Sequence, residues 1–148
     1  MNIMIINGPN LNMLGTREPN IYGYETYNDL CAYLKKLSSD YNFSCTIYQT
    51  NYEGKIIDYL QEAMTNQYDG VIINPGAYAH YSYAIMDALA GMKIKKVEVH
   101  LTDITKRESF RHVSVTSQKC DKVFMGEHFE SYHKAILYLV KGVIHERV

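Results

Sequence analysis

An excess of either sign of charge is missing from this sequence. Its 15 lysines and arginines are matched by 16 aspartates and glutamates, which gives a formal net charge of −1 at pH 7. Because proteins that bind a nucleic-acid backbone carry a basic excess, nucleic acid is not an expected partner. A site for an anion on this chain has to come from a few cations that are placed close together.

Cysteines and long apolar runs are scarce. The chain has three cysteines, an odd number without a short spacing, which argues against a disulfide scaffold and against a zinc site. No stretch approaches the ~20 apolar residues that a membrane-spanning helix needs, and the first residues lack the basic segment and long apolar run of a signal peptide. We therefore expect reduced thiols, a cytoplasmic location and no membrane partner.

What the chain does contain is short apolar runs that alternate with helical patterns. We predict strands at 3–6, 43–49, 71–73, 96–101 and 123–125, and the first, third and fifth are continuous apolar runs, as expected of strands buried on both faces. Thr26 and Asp29 form a plausible capping box before the first helical pattern. The predicted buried helix faces are Leu30-Leu34-Leu37-Tyr41, Ile56-Ile57-Leu60-Ala63-Met64, Ala84-Ile85-Ala88-Leu89 and Ile136-Leu139-Val140-Val143.

This alternation predicts an α/β fold. We expect a single domain over residues 1–148, with a flavodoxin-like, doubly wound, five-stranded parallel sheet in the order 2-1-3-4-5 and helices on both faces. In open α/β sheets, ligands bind beyond the carboxyl ends of the strands, near the switch point beside strand 1. The residues that follow Ile6, Ile73 and Val99 are therefore the first candidates for a site.

The predicted strand ends are rich in polar residues and contain no acid. They read Asn7-Gly8-Pro9-Asn10, Asn74-Pro75-Gly76 and His100-Leu101-Thr102. A phospho-receiver domain needs acidic residues at these ends to hold magnesium. A flavodoxin needs a phosphate-binding loop after strand 1. In this chain the corresponding loop contains Pro9, which has no N–H to donate to a phosphate.

Two other classes of protein stay open as alternatives. A flavin- or nucleotide-binding module on the same fold is disfavoured, because neither GxGxxG nor a GK[ST] phosphate loop is present. A non-catalytic scaffold that has kept the fold is disfavoured, because the polar residues gather at three separate strand ends. The leading hypothesis is a catalytic site at those ends.

The connection from strand 1 to the first long helix is unusually long. Residues 8–25 span about three times the 2–6 residues of a usual βα connection. They include Gly8, Gly15 and Gly23 as possible hinges. An ordinary surface loop is one interpretation. We favour a lid that closes over a substrate and carries Arg17 and Tyr22.

Three blocks of sequence lie at the predicted strand ends. They comprise Asn7-Gly8-Pro9-Asn10-Leu11-Asn12, Gly15-Thr16-Arg17-Glu18-Pro19 and Tyr22-Gly23; Asn74-Pro75-Gly76-Ala77-Tyr78 with His80, Ser82 and Asp87; and Glu98-Val99-His100-Leu101 with Arg107, Phe110, Arg111, His112 and Ser114. Together these blocks resemble the type II 3-dehydroquinase family. The match departs at Tyr81 and Thr102 and is weak after Ser114, and we expect the charged segment 118–128 to affect assembly or the edge of strand 5.

The resemblance implies a cofactor-free dehydratase. The family converts 3-dehydroquinate to 3-dehydroshikimate by removing a proton α to the ketone and expelling a β-hydroxyl through an enolate, without a metal or a Schiff base. By matching position, the resemblance implies Tyr22 as general base, Arg17 as the support of its ionised form and His100 as general acid. Asn10 is implied to hold a water that stabilises the enolate. The implied substrate contacts are Asn74, His80, Asp87, Leu101, Thr102 and Arg111.

The resemblance also implies an assembly. Members of the family usually form trimers that group into a homododecamer, with Asp87 reaching the site of a neighbouring subunit. Composition and periodicity carry no sign of this assembly. The other implied partner is the small-molecule substrate.

A tyrosine base has to be ionised to act. A phenol with the ordinary pKa of ~10 is ionised in about one molecule in a thousand near pH 7, a deficit of ~4 kcal/mol. One cation at ~4 Å contributes about 4 kcal/mol at an effective dielectric constant of 20, although desolvation opposes it. We therefore predict an electrostatic role for Arg17. Among 14 tyrosines, Tyr24 is the alternative base.

The histidine and arginine candidates keep structural alternatives. Glu98 and His100 are two residues apart on a strand and so share a face, where a carboxylate favours a protonated imidazole. A hydrogen-bonded strand-end histidine is equally plausible, and a zinc pair is disfavoured because no HxxxH or CxxC supplies further ligands. Arg107 and Arg111 share a face if they lie on one helical turn. The pair is then interpreted either as a clamp for a carboxylate or as solvated surface charges.

Overall fold

The structure is a computed structural model that describes residues 1–146, with side chains described through residue 142. Its centre is one sheet of five parallel strands in the order β2-β1-β3-β4-β5, which confirms the predicted strand order. The strands are β1 (Asn2–Asn7), β2 (Ser44–Gln49), β3 (Gly70–Asn74), β4 (Lys95–His100) and β5 (Lys122–Met125). The helices are α1 (Pro19–Tyr22), α2 (Tyr27–Tyr41), α3 (Glu53–Thr65), α4 (Tyr83–Ala90) and α5 (Phe129–Glu146).

Two apolar clusters pack on the two faces of the sheet. Successive side chains of β1 alternate between them: Ile3 and Ile5 pack with α2 and α5, whereas Met4 and Ile6 pack with α3 and α4. This two-sided burial explains why β1 and β3 are continuous apolar runs in the sequence. Within residues 1–146, no helix is both long enough and apolar enough to span a membrane.

Most of the predicted helix faces are buried, with exceptions at their ends. Leu30, Leu34 and Leu37 are buried as predicted. Tyr41 is the last residue of α2 and is 36% exposed, and Met64 near the end of α3 is 45% exposed. Ala84, the second residue of α4, is also exposed. The side chain of Val143 lies outside the described residues.

The segment predicted to be a lid, residues 8–25, is only partly irregular and is called the lid below. It contains a 3-10 turn at Leu11–Met13 and the four-residue helix α1. The buried Leu11 and Leu14 anchor its first half to the core. Gly15 has φ +88°, and a Cβ there would lie 2.8 Å from the Tyr24 carbonyl oxygen, so glycine is required at this turn.

The lid ends where α2 begins. The predicted capping box is confirmed, since the Asp29 N–H donates to Thr26 Oγ1 at 3.1 Å and the Thr26 N–H donates to Asp29 Oδ2 at 2.8 Å. A capping box of this kind satisfies backbone donors that the first helical turn leaves free. The lid is therefore held at both ends, by buried leucines on one side and by a capped helix on the other.

Candidate active site

A cavity lies at the carboxyl ends of β1, β3 and β4, the location that the sequence predicted. It contains about 680 Å³ of empty space, including the open solvent at its mouth. Its lining includes the predicted residues Asn10, Arg17, Tyr22, Asn74, His80, His100, Leu101, Thr102 and Arg111. Of the predicted site residues, Asp87 is outside the lining: it lies on α4 and is exposed.

His100 is held by a buried carboxylate. It ends β4 with 5% of its surface exposed, and its Nε2 lies 2.8 Å from Oε2 of Glu98, which is wholly buried. The strand spacing that puts both side chains on one face is thus confirmed. Since Nε2 faces Glu98, Nδ1 is the ring nitrogen that remains for a ligand in the cavity.

Glu98 is surrounded by hydroxyl donors. Ser114 Oγ donates to Glu98 Oε2 at 2.6 Å, and Thr116 Oγ1 donates to Glu98 Oε1. A buried carboxylate is tolerated only when its oxygens are paired, so these two hydroxyls and His100 make the charge stable in place. Sequence reasoning gave neither hydroxyl a role, because both lie in an irregular segment after β4.

Tyr22 lies between two guanidinium groups. Arg107 Nη1 donates to the Tyr22 hydroxyl oxygen at 2.8 Å. The guanidinium carbon of Arg17 is 5.1 Å from the centroid of the Tyr22 ring, and that of Arg107 is 5.2 Å away. The predicted contact between Arg17 and Tyr22 is therefore made to the ring face. The direct contact with the Tyr22 hydroxyl comes from Arg107, which the sequence had paired with Arg111 as a carboxylate clamp or as solvated charges.

Arg107 and Arg111 both line the cavity, but they do not share one helical turn. Arg107 follows the 3-10 turn Ile104–Lys106 in an extended conformation, with φ −103° and ψ −165°. Arg111 ends a separate turn, Ser109–Arg111, where its Nε donates to Glu108 Oε2 at 2.6 Å. The extended backbone at Arg107 breaks the helical register, and the two guanidinium groups bond different partners, Tyr22 and Glu108.

Tyr24 does not line the cavity. Its side chain is 81% exposed, although it is only two residues from Tyr22. The intervening Gly23 has φ +86° and ends α1, so the chain changes direction between the two tyrosines. Position thus favours Tyr22 over Tyr24 as the group that reaches a ligand.

Asn74 is oriented by a buried tyrosine. Its Nδ2 donates to the Tyr132 hydroxyl at 3.0 Å, and that hydroxyl donates to Asn7 Oδ1 at 2.7 Å. Burial raises the pKa of Tyr132, so its phenol stays neutral and keeps the proton that it donates. No local pattern in the sequence indicates this contact, since Tyr132 lies on α5, more than 50 residues from Asn74.

His80 and Asn10 complete the lining. His80 Nδ1 lies 2.9 Å from the Val113 carbonyl oxygen, and burial lowers the pKa of His80, which favours a neutral ring. Asn10 has φ +69°, and its backbone N–H donates to Asn51 Oδ1 at 3.0 Å. Among the described side chains, those of residues 1–142, no group of three or more His, Cys, Asp or Glu is placed to hold a metal ion.

The chain matches one family along nearly its whole length. The model of the class II dehydroquinase family covers residues 1–140. The 3-dehydroquinate dehydratase of Clostridium beijerinckii is 51% identical over 136 residues, which are 92% of this chain and 93% of that protein.

Solved structures agree with this match. The type II dehydroquinase of Butyrivibrio crossotus superposes with a TM-score of 0.93 at 51% identity, covering 94% of this chain and 97% of that one. The type II dehydroquinase of Propionibacterium acnes has a TM-score of 0.91 at 36% identity, covering 95% and 96%. With the family model, the curated relative and the folds in agreement, this chain belongs to the class II dehydroquinase family.

Proposed function

We propose that this protein converts 3-dehydroquinate to 3-dehydroshikimate by eliminating water. The observation that carries the proposal is a single cavity lined by both a phenol bonded to a guanidinium and an imidazole bonded to a carboxylate. Elimination of a β-hydroxyl from a ketone needs a base for the α proton and an acid for the leaving oxygen. Membership of the family and the names of its relatives support the choice of substrate.

In the first step, the Tyr22 phenolate removes the proton α to the ketone. Arg107 donates a hydrogen bond to the oxygen that takes the proton, and the guanidinium groups of Arg107 and Arg17 both lie against the Tyr22 ring. The electron pair of the broken C–H bond moves into the carbonyl group and gives an enolate. Asn10, which lines the cavity, holds the water that stabilises this enolate.

In the second step, the enolate collapses and the β C–O bond breaks. His100 gives its proton to the departing hydroxide, which leaves as water. The buried Glu98 carboxylate bonds the other side of the imidazole and so holds the ring in place for this transfer. Tyr22 has gained one proton and His100 has lost one, so a proton exchange with solvent restores the starting state.

The lid brings the base to the substrate. Tyr22 and Arg17 are carried by the lid, whereas Arg107 belongs to the connection between β4 and β5. The bond from Arg107 to Tyr22 therefore joins the lid to the body of the protein. Closure of the lid then both covers the substrate and completes the activated base.

The other lining residues bind the substrate. Arg111 is the contact for its carboxylate, since a guanidinium presents paired donors to such a group. The polar groups of Asn74, His80 and the Leu101–Thr102 segment serve its hydroxyls. None of the residues that line the cavity in the described part of the chain is a lysine, which supports a mechanism without an imine.

We also propose that the protein assembles as trimers grouped into a dodecamer, with Asp87 reaching a neighbouring site. Asp87 is exposed on α4 beside Tyr83, which is 65% exposed. Phe110 and Val113, also more than half exposed, lie on segments next to the 76–80 turn. Large apolar side chains exposed together mark a surface suited to a second copy of the chain.

The three free thiols support the expected cytoplasmic location.

One assay tests the proposed function directly. The purified protein is mixed with 3-dehydroquinate, and the ultraviolet absorbance of the conjugated enone product is followed. A steady rise that borohydride treatment does not abolish supports the proposal. No rise, or inactivation by borohydride in the presence of substrate, contradicts it, because the latter outcome requires a lysine imine.

A further inference from the structure

The connection between β2 and α3 lies beside the cavity without lining it. Asn51 in this connection is exposed, yet it reaches three neighbours. Its Oδ1 accepts hydrogen bonds from the Asn10 backbone N–H at 3.0 Å and from Gln49 Nε2 at 3.2 Å, and its carbonyl oxygen accepts one from the Tyr78 hydroxyl at 2.8 Å. Asn51 thus joins the base of the lid to the 76–80 turn, two segments that line the cavity.

Asn10 depends on being held in place. Its φ of +69° lies in the left-handed region, which asparagine adopts more readily than most residues with a Cβ but less often than the right-handed region. The backbone N–H of Asn10 is the group that Asn51 fixes. Gln49 helps to hold the same segment. Its Nε2, which donates to Asn51, also lies 3.2 Å from the Gly8 carbonyl oxygen and 3.4 Å from Asn12 Oδ1, and these two residues flank Asn10 in the sequence.

We propose that Asn51 is a positioning residue for the dehydration, an inference that rests on the proposed function. Asn51 touches no reacting atom. It acts through Asn10, which it holds in the conformation that presents a water to the developing enolate, and it ties this residue to the turn that carries His80. A displacement of about 1 Å in such a group costs up to ~100-fold in rate.

The chemistry of the Asn51 side chain supplies its own control. Both of its hydrogen bonds are accepted by Oδ1. A carboxylate has the same shape and accepts both bonds, whereas leucine has a similar size and accepts neither. Asn51→Asp should therefore retain the positioning function, and Asn51→Leu should lose it.

The experiment compares steady-state kinetics and melting temperature for Asn51→Leu, Asn51→Asp and Asn28→Leu, the last changing an exposed asparagine on α2 in the same way. We expect Asn51→Leu to lower kcat by about 10- to 100-fold with KM changed less than about threefold. We expect Asn51→Asp and Asn28→Leu to keep kcat within about threefold of the wild type. Asn51→Ala replaces Asn51→Leu if the leucine variant does not fold.

Several results overturn this proposal. Equal losses of kcat in the leucine and aspartate variants do so, because they show that the acceptor is not what matters. An unchanged kcat in Asn51→Leu does so, and so does a loss that follows the melting temperature or appears only in KM. Wild-type protein that fails to turn over 3-dehydroquinate is a different result, since it overturns the proposed function itself.

Discussion

The proposed acid and the proposed base are held in opposite ways. His100 ends a central strand, is 5% exposed and is bonded to a wholly buried carboxylate. Tyr22 lies on a four-residue helix in the lid, is partly buried, and receives its hydrogen bond from Arg107, 85 residues away in the chain. The contact of His100 thus lies within one strand, whereas the contact of Tyr22 joins residues 8–25 to the connection between β4 and β5.

The largest effect should come from removing the base itself. Tyr22→Phe keeps the ring between the two guanidiniums but removes the group that takes the proton, so we expect kcat to fall on the order of 10²–10⁴-fold with little change in KM. Steady-state kinetics with the enone absorbance measures this. Tyr24→Phe is the matched control and should be near wild type, because Tyr24 is 81% exposed outside the cavity. Inactivation by Tyr24→Phe but not by Tyr22→Phe would reverse the assignment.

The two arginines next to Tyr22 should differ in importance. Arg107→Leu removes a charge-assisted hydrogen bond to the hydroxyl, worth about 1.5–3 kcal/mol, so kcat should fall about 10- to 100-fold. Arg17→Leu removes a contact with the ring face, worth about 0.5–2 kcal/mol, so the loss should be smaller.

Parallel kcat measurements of these two variants sharpen the comparison between lid and body. A larger loss for Arg17→Leu than for Arg107→Leu would mean that the lid alone activates the base. In that case the contact between the lid and the β4–β5 connection has no part in the chemistry.

On the acid side, changes should affect stability as well as rate. Thr116→Val removes a buried donor to Glu98 and should lower the free energy of unfolding by about 1–3 kcal/mol, with a modest loss of kcat. Thr105→Val is the control, because the Thr105 hydroxyl bonds an exposed carboxylate, that of Asp103. Urea unfolding measures both variants. Equal losses in the free energy of unfolding for Thr116→Val and Thr105→Val would contradict this prediction. They would show that the burial of Glu98 does not make its hydroxyl donor more important.

The smallest effect should be the pH dependence that His80 gives to stability. Burial lowers the pKa of His80 below its ordinary value of ~6.5, so the unfolded chain binds more protons than the folded one at mildly acidic pH. The contribution of His80 to the free energy of unfolding is therefore full above about pH 6.5, and it is lost as the pH falls towards the lowered pKa. Urea unfolding of wild type and His80→Gln between about pH 7.5 and 5.5 should show a weaker pH dependence in the variant. A steeper pH dependence in His80→Gln than in the wild type would contradict the predicted direction.

Much of this protein could be predicted from its sequence because the signals are local. The alternation of apolar runs and helical patterns predicted the strand order, and the polar residues after Ile6, Ile73 and Val99 predicted where the cavity lies. Ser82, which caps α4, and the Thr26–Asp29 box follow the same rule, since a cap joins residues only three apart. Such features need no knowledge of the tertiary structure.

What could not be predicted joins distant parts of the chain. The role of Arg107 depends on a contact with Tyr22 that no spacing indicates, and that of Tyr132 depends on a bond to Asn7 over 125 residues. Asn51 was missed for a different reason. Gln49, Thr50 and Asn51 at the end of β2 are as polar as the residues that end β1, β3 and β4, but they belong to none of the three sequence blocks that carry the family resemblance.

A structure of the protein with bound 3-dehydroshikimate tests the central claim most directly. The account predicts that the Tyr22 hydroxyl oxygen lies about 3–3.5 Å from the carbon that lost its proton, with Arg107 still bonded to that oxygen. A Tyr22 oxygen well beyond this distance, with Tyr24 or a lysine in its place, would contradict it.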